Sequence, residues 1–461
     1  MQMIAFRGQG GWKESGTEVE EKLIPSRAVF EDFSIPSPQN VLYVSLLVCF
    51  VTQKALQTSR VRIQIREMKV RIEKNVLDNG LSQVLNVVGM RTSLPVLSNV
   101  RLCAKEGALE LTTTNLDMGI RCTVAADVTE VGSIALPARR LASIAKALPE
   151  GTIELECSDD QAKLSCGCSK FRIMGMNDAE FPPLPMFEQT ETLVVEQQQL
   201  RGWLRHVSFA QSEDENRYLL NGVLFAFKSG EEAENTGGGD EGTATTSELH
   251  VVATDGRRLS LMQQSMDVPQ ALRGKSFILP AKAVGELEHL LQQSAPVKLF
   301  FNNRQVGFEL ELDENAQKSG LAQSIYLVSK QIEGTFPNYL QVLPKTTEHR
   351  VRLERALLLE SIRRAALVSN LDNNTVKLTF NQNLLEVSAS GADGEAHESI
   401  AVEYEAGDKP VSITFNSKFL TDPLKALDED TIFFEFKDEV SPGVIKTNDN
   451  FRCVVMPLRL G

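Results

Sequence analysis

From residue 68 onward the apolar positions switch between two periods, and the same succession of periods runs three times. Lys69-Val-Arg-Ile-Glu73 alternates with period 2. It leads into 76–90, where Leu77, Leu81, Val84, Leu85 and Val88 share one face of a 3.6-residue helix. The succession returns at 193–195 into 197–210, with Leu200, Leu204 and Val207 aligned. It returns again at 351–353 into 356–369, with Leu358, Ile362 and Ala366 aligned. An alternating hairpin follows each helix: 100–102 with 109–112, 222–227 with 249–253, and 376–380 with 384–388. Second helices are predicted over 141–148, 284–291 and 419–427. Related phrases introduce them: Ile134-Ala-Leu-Pro-Ala-Arg-Arg-Leu141, Phe277-Ile-Leu-Pro-Ala-Lys-Ala-Val284 and Val411-Ser-Ile-Thr-Phe-Asn-Ser-Lys418. Apolar closing strands follow, such as Val297-Lys-Leu-Phe-Phe301 and Thr431-Ile-Phe-Phe-Glu-Phe436.

Copies spaced by about 120–140 residues are too long for solenoid units and predict a triplicated domain. Each copy reads as α+β, with two helices packed on mostly antiparallel sheet. Phe181-Pro-Pro-Leu-Pro185 and the Phe336–Pro344 segment punctuate the chain, giving domains at 68–188, 189–346 and 347–461. Residues 1–67 match nothing that follows. The expectation is a poorly ordered extension, or a chain whose biological start is Met68. Within the second copy, 229–248 carries Gly237-Gly-Gly239 and six acids with no base. It reads as an acidic flexible loop at a hairpin tip.

Composition changes little of this. The chain has 461 residues, 42% hydrophobic and 24% charged, as in ordinary globular proteins. Its net charge of −13 argues against non-specific nucleic-acid binding over the whole surface, but the acids are unevenly spread. The seven cysteines and five histidines show no metal-ligand spacing, so no metal and no cofactor is expected, and the thiols read as those of a reducing cytoplasm. The one long apolar run, 41–51, is too short to span a bilayer and too far in for a secretory signal. A cytoplasmic location follows.

Catalytic patterns are missing. There is no Gly-x-Ser-x-Gly elbow, no phosphate-cradling Gly-rich loop and no His-Glu-x-x-His pair. Asp255 in Thr254-Asp-Gly-Arg-Arg258 is open to two readings, an acid–base site or a tight turn around Gly256. The basic residues form a clearer pattern. Arg201 and Arg205 lie opposite an apolar helix stripe, as do Arg139 and Lys146, while Arg363 and Arg364 flank Ile362. A similar bias in each copy would let these faces meet phosphates without reading bases.

At Arg217-Tyr-Leu-Leu-Asn-Gly222, Val252-Ala-Thr-Asp-Gly-Arg-Arg-Leu259, Gly334-Thr-Phe-Pro-Asn-Tyr339 and Val454-Val-Met-Pro-Leu-Arg-Leu460, the chain resembles the beta subunit of bacterial DNA polymerase III, the sliding-clamp family. The resemblance runs from Met68 to Leu460. It implies a non-catalytic processivity factor, a head-to-tail homodimer closed into a six-domain ring around double-stranded DNA. It also implies association with the nucleoid during replication. An apolar cleft between the second and third domains would bind peptides of the polymerase, clamp loader and repair proteins. The positions implied for it are Leu220, Thr254, Gly256, Arg257, Arg258, Leu259, Pro344, Val454, Met456, Pro457, Leu458 and Arg459. Arg91, Arg217 and Tyr218 match positions near the duplex, beside the helix cations Arg139, Lys146, Arg201, Arg205 and Arg363. The dimer edge would join Lys170, Phe171 and Ile173 to Leu367, Val368, Glu395 and Glu398. Arg257 stands where some members carry His, and Leu219 replaces an aromatic. A protein-binding scaffold and an Asp255 hydrolase are the alternative readings.

Overall fold

In the computed structural model, residues 67–89, 94–158, 160–187, 191–229, 247–369, 374–392, 394–405, 410–447 and 450–459 are described. The expectations for 1–66, for the acidic stretch 230–246 and for Arg91 lie outside them.

The first repeat runs β1 (Met68–Glu73), α1 (Lys74–Val84), β2 (Asn99–Lys105), β3 (Ala108–Thr114), β4 (Met118–Ala125), β5 (Asp127–Glu130), β6 (Gly132–Pro137), α2 (Ala138–Ala147), β7 (Thr152–Ser158), β8 (Gln161–Cys166) and β9 (Ser169–Met174). The second runs β10 (Leu193–Glu196), α3 (Gln197–Ser208), β11 (Gly222–Lys228), β12 (Glu248–Thr254), β13 (Arg258–Ser265), β14 (Ser276–Pro280), α4 (Ala281–Leu290), β15 (Pro296–Phe301), β16 (Gln305–Leu310), the short α5 (Glu314–Lys318) and β17 (Leu321–Lys330). The third runs β18 (His349–Glu354), α6 (Arg355–Ala366), β19 (Thr375–Asn381), β20 (Leu384–Gly391), β21 (Gly394–Ala401), β22 (Val411–Asn416), α7 (Ser417–Ala426), β23 (Thr431–Phe436), β24 (Gly443–Lys446) and β25 (Phe451–Val455).

The periodicity located these elements well, with differences at the ends. α1 stops at Val84 and tightens into a 3-10 turn over Leu85–Val87, short of residue 90. The cause is local: β-branched Val87 and Val88 and then Gly89 are weak helix formers. The second helices begin two or three residues early, at Ala138, Ala281 and Ser417. In α2 and α4 a proline precedes the first helical residue, with a backbone already suited to the entry. In α7 the Asn416 side chain accepts a hydrogen bond from the Lys418 amide. The insertion of the second repeat sits at a hairpin tip, because Lys228 and Glu248 face each other across β11 and β12. Glu248 itself belongs to the strand rather than to a loop.

One feature of the sheets could not be read from a single repeat. Two eight-stranded antiparallel sheets each belong to two repeats at once. In one, β17 of the second repeat pairs with β4 of the first. In the other, β25 of the third repeat pairs with β13 of the second. The inner faces of all four sheets and the apolar stripes of the helices share one continuous core. It holds Leu81, Leu141, Leu204, Leu287, Ile362 and Leu424 from the six long helices.

Candidate partner and nucleic-acid surfaces

Strands β11 and β12 are apolar at successive positions, over 223–227 and 251–253, not at alternate ones. Val223, Phe225 and Phe227 face the main core, while Leu224 and Ala226 face the other way. A strand buried on both faces needs this composition. The outer-face residues Leu224, Val252, Leu259, Leu261 and Ile278 join Val444, Val454, Phe336 and Tyr339 in a second apolar cluster. Leu219, Leu220, Ile332 and Leu343 cover it incompletely. Leu259 and Val454 are directly paired across β13 and β25, so the floor of the cluster lies on the junction of the second and third repeats. Met456, 42% exposed, stands just beyond the floor, and half-buried Pro457 and Leu458 continue it. The Met456 amide donates to the Arg257 carbonyl at 3.0 Å, at the start of β13, and the Leu458 amide to the Thr414 carbonyl at 2.8 Å, on β22 of the four-stranded sheet.

Of the cleft residues expected from sequence, Leu220, Leu259 and Val454 thus meet in one cluster, with Met456, Pro457 and Leu458 beside it. Pro344 does not belong to that cluster; it lines a neighbouring groove with Leu343 and Val444. Arg257 and Arg459 are exposed. Sequence reasoning missed Val252, Val444, Leu343 and Tyr339. The unbroken apolar runs 223–227 and 251–253 were the signal that could have found their surface.

Arg258 needs a correction. It is 6% exposed, and its guanidinium is already committed to the protein. Nε donates to Asp255 at 3.0 Å, Nη1 to Asp422 at 2.8 Å and Nη2 to the Phe209 carbonyl at 2.6 Å. The rings of Phe209 and Phe419 lie 5.4 and 4.7 Å from it. It therefore fastens the second repeat to α7 of the third. Asp255 is equally occupied. Its Oδ1 accepts from the amides of Arg257 and Arg258, and Thr254 Oγ1 donates to the Arg258 carbonyl. Gly256, at φ +83°, takes the left-handed position. This is a turn, and the acid–base reading of Asp255 loses its free carboxylate.

A strap, Phe336–Pro344, crosses the outer cluster. Its Tyr339 hydroxyl lies 2.8 Å from Nδ1 of buried His250, whose Nε2 lies 3.1 Å from Glu248. Gln263 Nε2 also lies 3.2 Å from the histidine Nε2; in the neutral tautomer with its proton on Nε2, facing Glu248, Nδ1 accepts from the tyrosine. Burial pushes the His250 pKa down, and the bond to Glu248 opposes that only in part.

The six long helices carry twelve Lys and Arg against five Asp and Glu, a charge of +7 in a chain of −13. Arg139, Lys146, Arg201, Arg205 and Arg363 are all exposed on faces opposite the core. Several are tethered. Arg139 donates to the Val88 carbonyl at 2.7 Å, Arg363 to Glu360 at 2.6 Å, and Arg205 pairs with Asp428. Two acids of α4, Glu286 and Glu288, are partly buried, and burial raises both pKa values. Arg217 and exposed Tyr218 sit on a 3-10 turn, Glu215–Leu220, where Arg217 donates to the Asp255 carbonyl at 3.0 Å.

For the expected dimer edge, Lys170 and Phe171 are exposed on β9, an edge strand, and Leu367 is 84% exposed. Glu395 and Glu398 lie on β21, also an edge strand. Two side chains are placed otherwise than expected. Ile173, 2% exposed, belongs to the continuous core, whereas Phe171, two residues before it on the same face of β9, is exposed. Val368 packs partly against the core. Glu398 already accepts two bonds from Arg364, which hold its carboxyl below the usual range.

These features define a class: three tandem clamp-type repeats of helices and antiparallel sheets. Family models for the DNA polymerase III beta subunit match in order, the N-terminal domain over 68–185, the central domain over 194–338 and the C-terminal domain over 340–459. The beta sliding clamp of Proteus mirabilis is 31% identical over 398 residues, 85% of this chain and 100% of that protein. That of Chlamydia muridarum is 29% identical over 395 residues, 85% and 99% of the two chains. The crystal structure of the DNA polymerase III subunit beta from Pseudomonas aeruginosa superposes with a TM-score of 0.74 at 29% identity, covering 85% of this chain and 100% of that one. The chain belongs to the DNA polymerase III beta subunit family. Its function is that of a DNA polymerase processivity factor.

Proposed function

We propose that two copies of this chain close head to tail into a ring that encircles duplex DNA and tethers the polymerase to it. Domains 68–188, 189–346 and 347–461 would each supply one sixth of the ring. One observation carries the reading. At both internal junctions the last strand of a repeat (β17, β25) pairs with the third hairpin strand of the repeat before it (β4, β13). The same rule leaves two strands over, β9 and β21, each at a sheet edge among the described residues. Pairing β9 of one copy with β21 of another extends the rule and, applied twice, closes by two-fold symmetry. Lys170 and Phe171 would then face Glu395 and Glu398, and Leu367 would be covered.

The cationic helix faces, with Arg217 and Tyr218, would line the hole and touch phosphates weakly, which suits a ring held by topology and free to slide. No catalytic group takes part; the gain is the raised effective concentration of the polymerase at the primer end. The outer cluster with Leu220, Leu259, Val454, Met456, Pro457 and Leu458 would take apolar side chains of polymerase, clamp-loader and repair-protein peptides. The place of work is the cytoplasm, on the nucleoid during replication.

The ring is tested by loading the protein on a nicked circular DNA with a clamp loader. Retention until the circle is cut is the expected result, and immediate loss from circle and linear DNA alike refutes it. Replacing Met456 and Leu458 by Ala should weaken binding of a Leu/Phe-containing peptide about tenfold or more. Unchanged affinity would refute the cleft.

A further inference from the structure

The outer face of the shared sheet does not end where the apolar cluster ends. Register runs directly from Ile278 to Leu224, Val252, Leu261, Arg452 and Lys446, one residue per strand. The first four are apolar and the last two are cations. Lys446 and Arg452 face each other across β24 and β25, an arrangement of like charges that destabilises a sheet unless an anion sits between them. Among the described residues the acid paired with Lys446 is Glu435, which is buried and lies 3.6 Å from Arg350 and 3.7 Å from Lys446. Arg452 Nε is buried with no hydrogen-bond partner. These side chains line a groove of about 740 Å³ together with Lys345, Leu343 and Pro344. Leu343 and Val444 belong both to this groove and to the apolar cluster, so the two surfaces are continuous.

We infer that this groove is a specificity extension of the partner-peptide cleft, and that it takes the acidic flank of a peptide whose Leu or Phe residues occupy the cluster. The inference rests on the cleft reading above and adds a charge preference to it. Carboxylates placed one or two strand spacings from the apolar anchors, roughly 5–10 Å, would reach between Lys446 and Arg452 and add negative charge beside the one carboxylate, Glu435, that Lys446 shares with Arg350. An otherwise acidic chain would repel such a peptide elsewhere on its surface, which sharpens the selection.

The test uses the full chain and two labelled synthetic peptides with one Leu/Phe anchor, flanked by Asp and Glu or by Ser and Gly, read by fluorescence anisotropy. The acidic peptide should bind about three- to tenfold tighter at low salt, with the advantage shrinking as salt rises. Lys446→Gln with Arg452→Gln should abolish that advantage and leave the neutral peptide's affinity unchanged. The double variant removes a like-charge pair and keeps Arg350 beside Glu435, so it should fold. Equal affinities for the two peptides in the unaltered protein overturn the groove while leaving the cleft intact. Binding of neither peptide overturns the cleft and the groove together. If the double variant changes the molecular mass of the protein without changing peptide affinity, the occupant is a second copy and the inference fails.

Discussion

The two internal junctions follow one plan but are finished differently. At the first, Gly119 of β4 faces Val328 of β17; at the second, Leu259 of β13 faces Val454 of β25. A Cβ at Gly119 would run into Leu184, so the glycine makes room for the strap that follows the first repeat. There Leu184 and Phe187 pack on Phe300, Tyr326 and Val328, and the Tyr326 hydroxyl donates to the Pro185 carbonyl at 2.8 Å. The strap itself fills the apolar floor of the first junction. At the second, Leu259 fills its own place, the strap is pinned by Tyr339, and Met456 stays exposed. One sheet-to-sheet joint is thus sealed by its own chain, while its twin keeps apolar surface for something else. Exposed apolar surface of this kind marks an interaction site more often than an accident.

The largest test of the contrast is at the turn that opens each shared strand. Thr114–Met118 and Thr254–Arg258 make the same hydrogen bonds, with Thr114 Oγ1 donating to the Met118 carbonyl as Thr254 Oγ1 does to Arg258. Leu116, at φ +74°, stands where Gly256 stands at +83°. The last residue differs: Met118 in the first turn, Arg258 in the second. Arg258→Ala would strand the carboxylates of Asp255 and Asp422 in partly buried surroundings, at a cost of about 3–5 kcal/mol. Met118→Leu should cost less than about 1.5 kcal/mol. Urea denaturation of the two variants measures both. Equal costs would mean that Arg258 does not fasten the second junction.

Next in size is the seal itself. Gly119→Leu should expel the strap, destabilise the protein by about 1–3 kcal/mol and speed proteolysis near 184–187. A variant as stable and as resistant as the parent would show that Leu184 does not depend on the missing side chain.

Much of this was legible beforehand, and what was not has a physical cause. Period 2 and period 3.6 are local signals, so Leu77, Leu204 and Ile362 fell on the right faces and the first hairpin of each repeat was placed. Sharing of sheets between repeats is non-local, since the contacts of β17 with β4 leave no trace in either strand's own pattern. Arg258 looked like a free cation because its partners, Asp422 and the Phe209 carbonyl, are distant in sequence. Ile173 and Phe171 were equally plausible at an edge; two apart, they share one face of β9, and only burial by the surrounding core separates them, at 2% and 39% exposed. The outer cluster could have been found from the unbroken run Val223–Phe227, whose second buried face was not pursued.

A smaller effect separates the straps by pH. Each is held by a tyrosine, but in opposite senses. Tyr326 reaches from the sheet to a carbonyl that does not titrate, and burial pushes its own pKa up to about 12. Tyr339 reaches from the strap to His250, whose pKa is lowered first by burial and further by Lys228 and Arg452, against the opposing Glu248 bond. A histidine whose folded pKa lies below its ordinary 6.5 contributes stability above that value and loses it as pH falls toward the folded pKa. Protonated Nδ1 can no longer accept from the tyrosine. Acidification below 6.5 should therefore loosen the second strap and leave the first in place. The bond is worth about 1 kcal/mol. Hydrogen exchange at the Val342 amide, which donates to the Tyr339 carbonyl, reports the second strap, and His250→Asn should flatten its pH dependence. Exchange that is flat from pH 7.5 to 5.5 in the parent would remove His250 from the strap's anchorage.

The smallest effect asks whether charge alone explains the strength of the second junction. The first junction also has an ion pair across it: Lys330 of β17 and Asp117, which lies next to Met118, are 2.9 Å apart, closer than most pairs among the described residues. Both side chains are more than half exposed, so water and salt screen them and the pair's loss leaves neither charge stranded. Lys330→Gln should change stability by about 0–1 kcal/mol and be insensitive to further added salt, in the same denaturation measurement that finds a several-fold larger loss for Arg258→Ala. Distance would predict similar costs; burial predicts very different ones. A Lys330→Gln loss as large as that of Arg258→Ala would mean that the junctions differ in the number of their charges rather than in how far those charges are removed from water.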